Sequence, residues 1–146
     1  MQKLKIIFML YLLLCSGLLF AKTPIYTEKQ TQITVKANQP TFIIKLKSNP
    51  TTGYEWSVNY NNKLLKVRYA FESPYDSTQK RQMLGTPGYG VWTFELVPQP
   101  RGALAIVRTT DIQFSYQRKW EKQPVDNRVF TVMLPISEAS PTNDAR

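Results

Sequence analysis

The chain has 146 residues, with 19 lysines and arginines, 10 aspartates and glutamates and no histidine, which gives a formal net charge of +9. Its single cysteine, Cys15, lies in the apolar amino-terminal segment, so the rest of the chain can form neither a disulfide nor a cysteine–histidine zinc site. Because the chain has no histidine, Cys–His and Ser–His nucleophile pairs are excluded as well. Because the ten acidic residues form no motif of a carboxylate-pair enzyme, we expect a binding protein without a cofactor.

Residues 1–21 have the order of a secretory signal peptide. Lys3 and Lys5 precede an apolar run at residues 6–20, and Ala21 supplies a small residue at the expected cleavage site. The run is shorter than the roughly 20 residues that a membrane-spanning helix needs. A lipoprotein anchored through Cys15 is the alternative, although the preceding leucine is bulkier than a lipobox requires. We expect export, to the periplasm or by secretion, with no stable membrane insertion after cleavage.

Cleavage would leave about 125 residues, enough for one domain with one hydrophobic core. Without Lys3 and Lys5, 17 basic side chains remain against 10 acidic ones, a net charge of +7 that suits an acidic partner or surface. We expect a monomer with its domain at residues 22–137 and a flexible tail at residues 138–146.

Seven stretches are predicted to be β-strands because apolar and polar residues alternate in them. They are residues 31–36, 41–47, 54–60, 64–71, 90–97, 112–116 and 128–136, and residues 103–107 form a further apolar run. Residues 22–30 are predicted to be a loose lead-in, and residues 73–86 a long exposed connection. With its Pro and Gly breaks and no helical period, the pattern predicts an all-β, immunoglobulin-like β-sandwich of about seven to eight short strands.

The first loop, residues 49–53, connects two predicted strands and is followed by Tyr54. Pro50 fixes its own φ and biases Asn49 towards an extended conformation, while Gly53 permits a positive φ. The two threonines between them are stiff at χ1. A loop with its shape set in advance loses little further entropy when it binds a partner. The alternative is an ordinary turn between antiparallel strands.

The second loop, residues 85–90, places Gly85, Gly88 and Gly90 just before a predicted strand. Glycine exposes backbone N–H and C=O groups and allows another chain to approach closely. The pattern predicts an edge that pairs with a partner's backbone by strand addition. A flexible hairpin connection is the alternative.

The third loop, residues 118–121, ends a predicted strand with the sequence Arg-Lys-Trp-Glu. Trp120 beside Arg118 and Lys119 fits a binding anchor, because Trp, Tyr and Arg dominate the energetics of protein interfaces. The alternative is a local lid in which a cation covers the indole.

Together the three loops resemble the chagasin family of cysteine-peptidase inhibitors, inhibitor family I42. Residues 49–56 match its N-P-T-T-G-[YF]-x-W signature, residues 85–90 look like its Gly-rich loop, and residues 118–121 are similar to its R-P-W-[ET] loop. The resemblance covers residues 31–135. It implies an immunoglobulin-like β-sandwich whose loops cluster at one end and fill the cleft of papain-like cysteine peptidases, reversibly and tightly.

The resemblance also implies a role for each loop. The first would cover the catalytic Cys–His pair of the peptidase, the second would pair by backbone along the non-primed side, and Trp120 would pack on the primed side. The implied peptidase-binding residues are Asn49, Pro50, Thr51, Thr52, Gly53, Tyr54, Gly85, Gly88, Tyr89, Gly90, Arg118 and Trp120.

Two features depart from the family pattern. Lys119 stands where the family has proline, so the third loop should be less pre-organised. Gly102 and Trp120 are 18 positions apart, longer than the family pattern, so we expect an insertion or bulge around residues 108–111.

Two other binding functions stay open. A basic chain with eight tyrosines could bind a polyanion, although its basic residues are scattered and export disfavours a nucleic-acid partner. A carbohydrate module could use Trp56 or Trp92 as a stacking platform, although both occupy positions predicted to be buried.

Overall fold

The computed structural model describes residues 22–73, 87–98 and 109–135. In these parts of the chain eight strands form: β1 (Ile25–Tyr26), β2 (Gln32–Thr34), β3 (Thr41–Ser48), β4 (Tyr54–Asn59), β5 (Leu65–Glu72), β6 (Gly88–Leu96), β7 (Thr109–Arg118) and β8 (Asp126–Met133). A 3-10 turn at Pro50–Thr52 is the one helical element of the same parts. Within them, no helix is long and apolar enough to cross a membrane.

The described strands form two sheets of four. One sheet has the order β1-β3-β6-β5 and the other the order β2-β8-β7-β4. β1 and β2 run parallel to their neighbours, β3 and β8, and the remaining pairs are antiparallel. This arrangement confirms the prediction of an all-β, immunoglobulin-like sandwich with seven to eight strands.

Residues that alternate along the strands fill the space between the sheets. In β3, for example, Phe42, Ile44 and Leu46 are buried while Lys47 is exposed. Fully burying one such side chain contributes about 1.5–3 kcal/mol. Phe114 of β7 joins the two sheets, because its ring meets Trp92 of β6 edge-on with 4.9 Å between ring centres. In β3 the hydrophobic alternation of the sequence therefore identified the buried side chains correctly.

Three details of the predicted strand pattern are wrong. Residues 22–30 are not only a lead-in, since they contain β1, which is too short to show a period in the sequence. No bulge occurs at residues 109–111, because they pair in regular register with residues 131–133 of β8, while residue 108 lies outside the described residues and an insertion there stays a prediction. The strand predicted to start at Gly90 already begins at Gly88.

Several predictions fall outside the described residues. They concern the signal peptide at residues 1–21, most of the connection at residues 73–86, the apolar run at residues 103–107 and the tail at residues 138–146. These remain predictions.

Candidate functional site

The first and third loops leave the sandwich at the same end as the start of β6. Ser48, the last residue of β3, lies opposite Gly88, the first residue of β6. Tyr54, which begins β4, lies opposite Arg118, which ends β7. The first loop links β3 in one sheet to β4 in the other, so both sheets contribute to this end. The end of β5 and the start of β6 also lie here, since Glu72 pairs with Tyr89, whereas Gly85 lies outside the described residues.

The first loop is a compact turn that is held by its own hydrogen bonds. The backbone N–H groups of Thr52 and Gly53 donate to the carbonyl oxygens of Asn49 and Pro50, at 3.2 and 3.1 Å. The Thr52 hydroxyl also donates to the Asn49 carbonyl at 2.6 Å, and the Thr51 hydroxyl donates to the Asn49 side-chain oxygen at 2.7 Å.

Backbone conformation and exposure complete the picture of this loop. Gly53 has a φ of +79°, and among the described residues no other has a positive φ. Pro50, Thr51 and Thr52 are all exposed to solvent. The first loop is thus a closed turn, in agreement with the pre-set shape expected from its residue types, and it is accessible to solvent.

The second loop differs from its prediction. Gly88, Tyr89 and Gly90 belong to β6, which lies between β3 and β5, and Tyr89 and Gly90 have a partner strand on each side. Strand addition needs an open sheet edge, so the prediction of backbone pairing with a partner is wrong for Tyr89 and Gly90, while Gly88 is paired with β3 alone. Gly88 and Gly90 are buried, whereas the Tyr89 ring is exposed on the outer face beneath the Lys45 ammonium, 4.7 Å from the ring centre.

The third loop is a tight β-turn. The Glu121 backbone N–H donates to the Arg118 carbonyl at 3.1 Å, which places Lys119 and Trp120 at the two central positions. Trp120 is 72% exposed, the largest value among the large hydrophobic side chains of the described residues. A solvent-exposed aromatic side chain at the tip of a turn is better suited to the role of a binding anchor than to that of a core residue.

The first and third loops contact each other. An ideal Cβ placed on Gly53 would lie 3.4 Å from Cη2 of the Trp120 indole. The Arg118 guanidinium carbon lies 4.3 Å from the Tyr54 ring centre and 5.7 Å from that of Trp120. Arg118 Nε also donates to the Thr52 carbonyl at 3.2 Å. The structure therefore joins the two loops into one surface.

Tyr116 supports the first loop and was not among the predicted site residues. Its hydroxyl accepts a hydrogen bond from the Asn49 backbone N–H at 3.1 Å. Its ring packs against those of Tyr54 and Trp56, with 5.3 and 4.7 Å between ring centres. The sequence signal was its position two residues before Arg118, which places both side chains on one face of β7.

Charges at this end are largely paired. Glu121 Oε1 accepts from the Tyr54 hydroxyl at 3.3 Å and lies 3.6 Å from an Arg118 guanidinium nitrogen. Lys119 lies 3.7 Å from a Glu55 carboxylate oxygen. Among the described residues, no group of three acidic, histidine or cysteine side chains could hold a metal ion.

The remaining tryptophans do not form an open platform for a sugar ring. Trp92 is only 3% exposed. Trp56 is partly buried, and its indole N–H donates to the Lys47 carbonyl at 2.9 Å. A carbohydrate-stacking site at Trp92 is therefore excluded, and Trp56 serves the packing beneath the first loop.

Comparison with known proteins identifies the family and the fold of this chain. The family described as chagasin family peptidase inhibitor I42 matches residues 34–134, which is more than half of the chain. Amoebiasin-2 of Entamoeba histolytica is 28% identical over 130 residues, which cover 87% of this chain and 97% of that protein. The crystal structure of the cysteine protease inhibitor EhICP2 from Entamoeba histolytica is 23% identical with a TM-score of 0.59, and the match covers 78% of this chain and 98% of that one. The chain therefore belongs to the chagasin family of peptidase inhibitors, and not to a family of enzymes.

Proposed function

We propose that this protein is a reversible, tight-binding inhibitor of papain-like cysteine peptidases and that its loops enter the active-site cleft as a wedge. The observation that carries this proposal is the contact between the first loop and the third loop, made by Arg118 and Trp120 at one end of the sandwich. Both elements are exposed, and a partner that approached this end of the sandwich would meet them together.

The shape of the first loop suits an inhibitor that is not cleaved. Two backbone hydrogen bonds close the turn on itself, so its main chain is not extended as a peptidase substrate must be. The hydrogen bonds from the Thr51 and Thr52 hydroxyls to Asn49 add to the cost of changing to the extended form. The loop can therefore cover a catalytic Cys–His pair without presenting an extended, substrate-like backbone to it.

The third loop supplies the apolar part of the wedge. Trp120 offers a large amphipathic surface with few rotatable bonds, which is the property that makes tryptophan frequent among residues that dominate interfaces. Because the charges of the third loop are largely paired within the protein, binding through the backbone and aromatic groups of the wedge should depend less on ionic strength than polyanion binding does. That separates it from polyanion binding, which weakens steeply as salt rises.

A titration of papain with the purified domain tests the proposal. We expect loss of papain activity at near-equimolar inhibitor, full recovery on dilution with the inhibitor intact by mass spectrometry, and no effect on trypsin. Papain with a covalently blocked active-site cysteine should bind the domain more weakly, because the blocking group occupies the place of the first loop. Full papain activity with a large molar excess of folded protein would contradict the proposal.

A further inference from the structure

The end of β7 forms the base under the first loop. Tyr116 and Arg118 are two residues apart in this strand, so their side chains project from the same face. They lie opposite Trp56 and Tyr54 of the neighbouring strand β4. β7 is also paired with β8 on its other side, which makes it an interior strand of its sheet and a firm support.

Each of the two side chains holds one part of the first loop. The Tyr116 hydroxyl accepts from the Asn49 N–H at 3.1 Å, where the chain enters the loop. Arg118 Nε donates to the Thr52 carbonyl at 3.2 Å, one residue before the loop ends. The hydrogen bonds inside the turn fix its shape, whereas these two contacts fix its orientation on the sandwich. We propose that Tyr116 and Arg118 are positioning residues that together hold the first loop in the orientation required to enter a peptidase cleft.

Both side chains are themselves held in place. The Tyr116 ring packs between Tyr54 and Trp56, at 5.3 and 4.7 Å between ring centres. The Arg118 guanidinium lies over the Tyr54 ring at 4.3 Å and beside Glu121 at 3.6 Å. A donor or acceptor that is already fixed orders the loop at little further cost in side-chain entropy.

The same contacts set the spacing between the two loops. Arg118 is the first residue of the third loop, so its bond to Thr52 ties the first loop to the turn that carries Trp120. This inference rests on the proposed function, because it concerns how the inhibitory surface is kept ready to bind. It predicts that these residues act mainly before the complex forms.

Kinetics can separate positioning from direct contact. If the loop occupies its binding orientation for only a fraction of the time, the observed association rate falls by that fraction. The dissociation rate changes little, because the peptidase itself holds the loop in the complex. Loss of a direct contact has the opposite signature, since most interface substitutions act on the dissociation rate.

The test uses two conservative variants and papain as the probe. Tyr116→Phe keeps the ring stack and removes the acceptor for Asn49, and Arg118→Lys keeps the charge and removes the planar guanidinium with its Nε donor. We expect each to lower the association rate about 3- to 10-fold, the range for one net hydrogen bond, with the dissociation rate within about twofold. In the free Tyr116→Phe protein, hydrogen exchange at the Asn49 amide should accelerate by a similar factor.

Tyr60→Phe is the matched control, because Tyr60 packs edge-on against Phe94, with 5.7 Å between ring centres, just beyond the far end of β4. It should change neither association nor exchange at Asn49. A raised dissociation rate with unchanged association, or unchanged exchange at Asn49 in Tyr116→Phe, would overturn the inference. If the parent protein fails to inhibit papain, the proposed function falls, while the exchange measurement in the free protein still decides whether Tyr116 holds the loop.

Discussion

The indole ring of Trp92 lies over Gly90, two residues earlier on the same face of β6. An ideal Cβ on Gly90 would overlap that ring, with Cζ3 of Trp92 only 2.7 Å away. A Cβ on Gly88 would lie 2.5 Å from the carbonyl oxygen of Glu72. Trp92 in turn meets Phe114 of the opposing sheet at 4.9 Å between ring centres. Two glycines of the second loop are thus required by packing inside the sandwich.

Gly90→Ala is therefore expected to destabilise the fold. The added methyl group must displace the Trp92 ring or shift β6, which typically costs about 1–3 kcal/mol. We expect the midpoint of chemical denaturation to fall clearly. The folded fraction of the variant should inhibit papain at 25 °C nearly as strongly as the parent protein does. A variant as stable as the parent would show that Trp92 does not need the space above Gly90.

The sequence could not distinguish these two uses of glycine. A Gly-rich run before a strand has the same pattern whether it exposes backbone to a partner or makes room for an indole. The distinction depends on whether β6 is central or at an edge, and sheet order is set by pairing with β3 and β5, which are distant in the chain. The alternation of apolar residues, by contrast, is local and predicted nearly every strand.

The first loop was more predictable than its connection to the third. Pro50 and the two threonines limit the backbone locally and Gly53 permits the positive φ, so the compact shape of the turn followed from the residue types alone. The contacts of Tyr116 and Arg118 with this loop join residues that are 67 and 66 positions apart in sequence. These residues become neighbours only in the folded chain, and no hydrophobic period or sequence motif predicts their contact.

Substitutions of Gly53 test how much its left-handed backbone conformation contributes to stability and to inhibition. At a φ of +79°, alanine should cost about 1–2 kcal/mol of stability, whereas asparagine tolerates the left-handed region better. We expect Gly53→Ala to lower the midpoint of thermal unfolding more than Gly53→Asn. Both should weaken inhibition, since both place a side chain on the loop that is proposed to face the peptidase.

Equal unfolding midpoints for the alanine and asparagine variants would contradict the left-handed conformation at Gly53. Inhibition by both variants at the parent's strength would instead show that the peptidase does not approach this part of the loop closely.

Trp120→Ala is expected to weaken papain binding strongly without loss of stability. The indole is 72% exposed in the free protein, so its removal leaves no cavity in the core. A buried aromatic anchor of an interface is typically worth about 2 kcal/mol or more, which corresponds to a 30-fold rise in the inhibition constant. Val125→Ala is the control, because Val125 is 61% exposed shortly after the same turn and is not a predicted contact.

Similar weakening by both substitutions would indicate a diffuse apolar contact in place of an anchor at Trp120. Parent-like inhibition by Trp120→Ala would remove the third loop from the proposed interface.

Lys119→Pro should tighten inhibition. Lys119 occupies the second position of the β-turn closed by the bond from the Glu121 N–H to the Arg118 carbonyl, a position that favours proline. The preceding residue, Arg118, is in β-strand conformation, which is the one that a following proline requires. Proline narrows the ensemble of the free loop by roughly 0.5–1 kcal/mol, so the inhibition constant should fall about 2- to 5-fold.

The ion pair between Lys119 and Glu55 is lost in this variant but should matter little. Its atoms are 3.7 Å apart and the two side chains are 79% and 61% exposed, conditions under which such pairs contribute at most about 1 kcal/mol. Lys119→Gln removes the same ion pair without adding the ring, so comparison of the two variants isolates the effect of proline. If Lys119→Gln weakens inhibition and Lys119→Pro weakens it equally, the ammonium meets an acidic group on the peptidase, and the effect of Lys119→Gln should then shrink as salt concentration rises. If Lys119→Gln instead matches the parent while proline tightens binding, the lysine costs this inhibitor affinity through the freedom it leaves in the turn.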